Sequence, residues 1–314
     1  MDLQRVLQFL DECRERGMAA VLVTVCAVEG SSMRNPGTIM GVAEDGSFAG
    51  SLSGGCIENA VVAEALAVLK ADIGRVVRFG AGSPYLDIKL PCGGGLDLHF
   101  QPVGSSDLAS QCLGSTAKRE PFSIILKEQG AEHAAEWVAQ SFDHQRGTGS
   151  FGHWPAPNLL IVGHGAGVEA LSQLGRSMGC GSNVLTPDER IVETLTNQGL
   201  SAIHIDRTSQ TDLLESDPWT AMVFLFHDHD WEIELMTRAF DLPHFYLGAM
   251  GGRKAHAMRC EALAKRAITE EQLATIRAPI GVFHSSRDPQ TLALSTLAEV
   301  IRTYQDADFE VALG

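Results

Sequence analysis

Two cysteines stand beside glycines in a way that suits sulfur chemistry. In "GSLSGGCIENAV", Gly50 to Val61, Cys56 directly follows Gly54 and Gly55 and directly precedes a helical pattern; in "KLPCGGG", Cys92 precedes three glycines. Glycine lets a backbone turn tightly and approach a ligand, and a helix N-terminus presents free N–H groups with partial positive charge. A thiol at such a point ionises more readily. The alternative is that each cysteine is a small buried hydrophobe at a tight turn. The loop "EGSSMRNPGTIM" supplies Glu29, Ser31 and Arg34 ahead of these turns. Cys56 and Cys92 are thus the candidate catalytic residues, with Glu29, Ser31, Arg34, Gly54 and Gly55 as binding residues around them.

A second set of residues suits anion and nucleotide binding. In "NLLIVGHGAGVEA", Gly163 and Gly165 match the first two glycines of the G-x-G-x-x-G phosphate-binding turn, while Val168 holds the third position. Asp188 ends the next strand pattern, where an acidic residue accepts a ribose hydroxyl. "FHDHDWE" places His227, Asp228, His229 and Asp230 at the carboxyl end of an apolar run. The histidine pair could ligate metal, but no third ligand is identifiable, and the aspartates read as helix caps. "YLGAMGGRKAH" sets Gly251 and Gly252 before Arg253 and Lys254 at a helix start, which makes an anion site of the phosphate type.

That local excess of cations stands out because the chain of 314 residues has a formal charge of −15, from 39 acidic and 24 basic side chains. Such a surface repels polyanions, so nucleic acid is excluded as a partner class. No run is long and apolar enough to span a bilayer, and charges interrupt the N-terminal apolar pattern too early for a secretory signal, so a cytoplasmic location is expected. The seven cysteines are scattered and contain no C-x-x-C pair, which argues against a disulfide framework or a structural zinc site.

The elements that must position these groups change character along the chain. The first part mixes strands and helices: "AAVLVTVCAVEG" reads as a buried strand, "GTIMGVAEDGSFAGSLSGG" as a strand pair around an Asp45-Gly46 turn, and Cys56 to Lys70 as a helix. From residue 158 onward, short apolar strands alternate with helix-sized segments, which implies a parallel sheet with helices on both faces. The expected fold is α/β, with an N-terminal α+β domain over 1–143, a Gly- and Pro-rich linker over 144–157, and a C-terminal Rossmann-like doubly wound domain over 158–314.

These segments together resemble the xanthine dehydrogenase accessory factor family (XdhC/CoxI). "EGSSMRNPGTIM" followed by "GSLSGGCIE" is similar to its N-terminal signature, and "PCGGG" to its CGG turn. "FHDHDWE", "YLGAMGGRK" and "IRAPIGVFHSSRDPQTLALSTLAEV" resemble its C-terminal segments. Met33, Phe226, Gly252, His284 and Ser285 depart from the family pattern. The resemblance implies a maturation factor rather than a catalyst in its own right. Such a factor binds molybdenum cofactor, in its molybdopterin or dinucleotide form, and promotes its sulfuration with a sulfurtransferase (cysteine desulfurase). It then delivers the cofactor to a molybdenum hydroxylase apoenzyme. A homodimer is the expected assembly. The competing reading is an NAD(P)-dependent oxidoreductase using Gly163, Gly165 and Asp188, and a third is a scaffold that holds no cofactor.

Overall fold

Apolar and β-branched side chains fill almost every position of Ala20–Glu29, and this segment forms the long central strand β1 of the N-terminal unit. The computed structural model describes residues 2–30, 34–55, 57–83, 93–226, 229–283 and 288–310, and it divides into two units, Met1–Pro155 and Ala156–Gly314. In the first unit, α1 (Asp2–Glu15), β1, β2 (Ile39–Ala43), β3 (Phe48–Ala49), α2 (Glu58–Ala71), β4 (Arg75–Gly80) and β5 (Gly95–Pro102) come first. Then follow α3 (Leu108–Lys118), β6 (Phe122–Leu126), β7 (Ala131–Ala134), β8 (Ser141–Asp143) and β9 (Thr148–His153).

The five antiparallel strands of the main sheet run in the order β3-β2-β1-β5-β4. One face, with Val21, Val23, Val25, Leu98 and Phe100, packs on Val61, Ala65 and Val68 of α2. The other face, with Leu22 and Cys26, packs on α1, α3 and the apolar side chains of β6 and β9. The turn at Asp45-Gly46 joins β2 to β3 as the sequence indicates; Gly46 has φ +83° and the Asp45 carboxylate accepts from the Ser47 N–H at 2.8 Å.

The stretch 144–157 is not a linker throughout. Thr148–His153 is β9, which pairs with both β6 and β8 in a second antiparallel sheet of order β7-β6-β9-β8. Its glycines serve close packing rather than flexibility, because a Cβ on Gly152 would lie 2.5 Å from the Trp137 indole nitrogen.

His99 of β5 lies between these two sheets, 3% exposed and opposite Thr24 in the β1–β5 register. Burial lowers its pKa from 6.5 to about 4. The folded unit therefore holds this ring neutral, and the stability it allows is complete above pH 6.5 and is lost as pH falls toward 4. The expected loss is on the order of 3 kcal/mol over that window. Urea midpoints measured from pH 7 to pH 4 should fall for the wild type and stay flatter for His99→Gln; parallel curves would contradict the assignment.

The second unit contains β10 (Asn158–Gly163), α4 (Ala166–Ser177), β11 (Gly181–Thr186), α5 (Glu189–Asn197), β12 (Ser201–His204) and β13 (Thr220–Leu225). It continues with α6 (His229–Ala239), β14 (Tyr246–Ala249), α7 (Arg253–Ala264), α8 (Glu270–Thr275) and α9 (Pro289–Asp306). All its strand pairs are parallel, in the order β12-β11-β10-β13-β14. This is the doubly wound Rossmann arrangement, with its ligand edge at the carboxyl ends of the strands. Helix α9 starts at Pro289 behind an Asp288 cap that accepts from the Thr291 N–H at 2.8 Å.

Candidate functional site

The N-terminal sheet gathers distant loops at one end. Glu29 at the end of β1 pairs with Gly95 at the start of β5, which pairs with Gly80 at the end of β4. The Val25 N–H donates to the Thr38 carbonyl beside the start of β2, and Gly50, just past β3, has φ +97°. A Cβ on Gly50 would meet the Ile39 carbonyl oxygen at 2.9 Å, so only glycine fits there. The chain segments around 30–38, 50–57 and 80–95 therefore leave the sheet at a common end, and these are the segments whose sequence suggested chemistry. Ser31, Cys56 and Cys92 themselves lie outside the described residues. Arg34 is half-buried on the way into β2.

Glu58, the first residue of α2, organises the central loop. Its Oε1 accepts from the Ser51 hydroxyl (2.9 Å) and the Leu52 and Ser53 N–H groups (both 3.0 Å). Its Oε2 accepts from the Ser53 hydroxyl (2.8 Å) and the N–H groups of Gly55 (3.0 Å) and Ile57 (3.1 Å). Gly54 and Gly55, at φ +78° and +110°, allow the chain to wrap around this carboxylate. Burial to 6% exposure raises the carboxyl, yet the hydrogen bonds from Ser53, Ser51 and the backbone outweigh it and bring its pKa from 4.5 to about 2. The N–H groups on either side of position 56 are thus already committed to an anion of the chain itself. Polarisation of a thiol by unclaimed N–H groups, which the sequence suggested, has to share this turn with a buried carboxylate.

Glu29 is likewise held rather than idle. The Arg78 guanidinium pairs with it and donates to both Asp97 oxygens at 3.1 and 3.2 Å, and its Nε donates to the Ala81 carbonyl at 2.6 Å. Four of the described cysteines belong to packing: Cys13, Cys26, Cys112 and Cys180 are buried, and burial raises the Cys26 and Cys112 thiols to about 12. Cys260 is half-buried. Among the described residues no group of three His, Cys, Asp or Glu side chains is placed to hold a metal ion.

In the second unit the carboxyl edge brings together three of the predicted turns. Gly163 closes β10 against Leu225 of β13, the His164 N–H donates to the Leu225 carbonyl at 3.2 Å, and Gly165, at φ +84°, opens α4. Val168, at the third position of the glycine fingerprint, is fully buried and fills the helix–sheet contact with a side chain. Asp188 has a different partner from the one expected. It caps α5 by accepting from the Arg190 N–H (3.0 Å) and is gripped by the Arg190 guanidinium (3.1 Å), which holds the carboxyl below the usual carboxylate range. His227 and Asp228 lie outside the described residues, and His229 begins the backbone of α6.

Beyond β14, Gly251 has φ +121° and Gly252 caps α7 with extended backbone. Arg253 and Lys254 follow, both exposed and, among the described residues, without an ion-pair partner. Two family models match this chain: XdhC and CoxI family over residues 13–80, and XdhC Rossmann domain over residues 159–300. The molybdenum cofactor insertion chaperone PaoD of Escherichia coli is 31% identical over 98% of this chain and 91% of its own.

The chain belongs to the XdhC and CoxI family.

A second Escherichia coli relative, the uncharacterized protein YqeB, is 23% identical over 93% of this chain, which spans 45% of YqeB. A solved structure from Bacillus halodurans, described as a xanthine dehydrogenase, shares the fold with a TM-score of 0.79 at 19% identity, covering 98% of this chain and 97% of that one. The XdhC and CoxI match spans β1 to β4 and so includes Glu58 and Arg78, while the XdhC Rossmann match spans all five parallel strands. Arg78 and Asp97 are site-end residues outside every motif, whereas Glu58 closes the "GSLSGGCIE" motif without a role assigned to it from the sequence. The signal for Glu58 is present in retrospect: two serines and two glycines precede an acidic residue in the first helical turn, a pattern in which side-chain and backbone donors outnumber acceptors.

Proposed function

We propose that the chain binds molybdenum cofactor as cargo and inserts it into a molybdenum enzyme. The observation that carries this is the exposed Arg253–Lys254 pair at the start of α7, on the ligand edge of a parallel sheet, in a protein of charge −15. A helix start with free N–H groups and two cations takes a phosphate, and the likeness to PaoD along almost the whole chain supports a phosphorylated pterin as its bearer. Cys56 and Cys92 are the thiols that would receive sulfur: a thiolate attacks the outer sulfur of a cysteine desulfurase persulfide, the desulfurase cysteine leaves as its thiolate, and the new persulfide on this chain holds the sulfur for the cargo. A molybdenum hydroxylase apoenzyme receives the product, and a cytoplasmic homodimer is the working form. Among the described residues no helix is long and apolar enough to cross a membrane. The NAD(P)-dependent reading draws less support, because Arg190 occupies the Asp188 carboxylate.

Replacing Arg253 and Lys254 with alanine tests the site. Each partly exposed charge-assisted contact is worth about 1 kcal/mol, so the double variant should bind isolated cofactor about 30-fold more weakly. Both side chains are exposed, so the thermal midpoint should stay unchanged. Equal affinity in a titration of wild type and variant would reject the phosphate site.

A further inference from the structure

Beneath the start of α7 lies an ion pair from which water is excluded. Arg259 of α7 and Glu232 of α6 are both 0% exposed, and the Arg259 Nε donates to Glu232 Oε2 at 2.9 Å. The other arm of the guanidinium, Nη2, donates to the Met250 carbonyl at 2.6 Å, and Nη1 lies 3.5 Å from His256 Nδ1. The Met250 N–H in turn donates to the Phe224 carbonyl at 2.9 Å. Both backbone groups of Met250 are therefore fixed, one by β13 and one by the buried arginine. Gly251 comes next, at φ +121°, where a Cβ would lie 3.0 Å from the Ala255 Cβ and 3.6 Å from Arg259 Nη2.

Stability is a poor explanation for this pair. Removing two charges from water costs about as much as their attraction returns, and apolar side chains of similar volume often serve a core equally well. An apolar pair could not donate to the Met250 carbonyl. A lysine could oppose Glu232 but has no planar fork to reach both acceptors.

We infer that Glu232 and Arg259 are positioning residues for the anion site. They set the Met250–Gly252 turn so that the first N–H groups of α7 and the side chains of Arg253 and Lys254 converge on one phosphate group. This rests on the reading of Arg253 and Lys254 given above. The pair also links α6, which follows β13, to α7, which follows β14.

The test replaces both members at once, Glu232→Leu with Arg259→Met, which leaves the net charge unchanged and touches no exposed cation. Inorganic pyrophosphate is the probe, titrated calorimetrically at several salt concentrations, beside urea unfolding of the same samples. The expected result is a wild-type urea midpoint, affinity about tenfold weaker, the loss typical of removing an outer partner of a binding group, and an unchanged salt slope because both cations remain. Wild-type affinity in this variant would overturn the inference. Should the double variant fail to fold, Arg259→Lys alone, with charge kept and the fork lost, is expected to fold and bind more weakly; wild-type affinity there overturns the inference equally. Arg253→Ala with Lys254→Ala, run in parallel, separates the two levels. If that variant loses affinity and salt slope while the buried variants bind normally, only the positioning role falls. If it binds normally, the site and its positioning pair fall together.

Discussion

Glu58→Ala is expected to destabilise the N-terminal unit by about 3 kcal/mol or more, the largest effect of any single polar substitution in it. The substitution leaves the Leu52, Ser53 and Gly55 N–H groups and two serine hydroxyls without this acceptor, and leaves the Ile57 N–H with the Ser53 hydroxyl oxygen at 3.0 Å, in a loop that includes the fully buried Leu52 and Ile57. The acid side gives a second handle. The folded pKa, about 2, lies below the ordinary 4.5, so the carboxylate contributes fully above pH 4.5 and its contribution is lost as pH falls from 4.5 through 2. That window lies below the one set by His99, so the two groups separate on one titration. Urea midpoints against pH should show a lower step in the wild type that Glu58→Gln removes. A Glu58→Ala protein with the wild-type midpoint at pH 7 would mean that the loop finds other acceptors.

Gly163→Ala should lower the stability of the C-terminal unit by about 2–3 kcal/mol, through overpacking rather than through any ligand. A Cβ there would sit 2.5 Å from the Leu225 carbonyl oxygen and 2.7 Å from its carbonyl carbon, both backbone atoms of the neighbouring strand, which cannot rotate away. Gly165 offers the contrast. Nothing lies within 4 Å of a Cβ at that position, but its φ of +84° strains any other residue, so Gly165→Ala should cost about 1–2 kcal/mol. Calorimetry should therefore rank Gly163→Ala as the more damaging, with a midpoint several degrees below the wild type. Equal midpoints would show that β10 and β13 separate more easily than their register implies.

The C-terminal architecture was legible because its strands are nearly continuous apolar runs separated by helix-length segments, and a parallel sheet covered on both faces demands that pattern. The second sheet of the N-terminal unit was not legible. Thr148–His153 carries two glycines and only two buried side chains, Ser150 and Phe151, so composition suggests a linker. What makes it a strand is the neighbour: Gly149 and Gly152 give room to Phe142 and Trp137, which come from elsewhere in the chain. The same limit applies to the sites. Glycines before Cys56 and cations after Gly252 are visible as letters. Glu58 draws its importance from backbone donors, and Glu232 and Arg259, 27 positions apart, meet only after α6 and α7 have packed.

The pairing of β1 with β5 shifts register between Val25 and Ala27, leaving Cys26 as an extra residue on one strand. Before the shift, Thr24 opposes His99; after it, Ala27 opposes Asp97 and Glu29 opposes Gly95. In a strand, side chains alternate between faces, and the extra residue absorbs one step of that alternation, so Val25 and Val28 both face α2 while Glu29 shares the opposite face with Asp97. Were Cys26 drawn into the ladder as a regular residue, Glu29 would turn toward α2, away from Asp97 and Arg78. A chain lacking Cys26 would lose its packing contact but keep the pairs from Ala27–Asp97 to Glu29–Gly95, so the charge pairing at the mouth of the three loops depends on this residue staying outside the ladder.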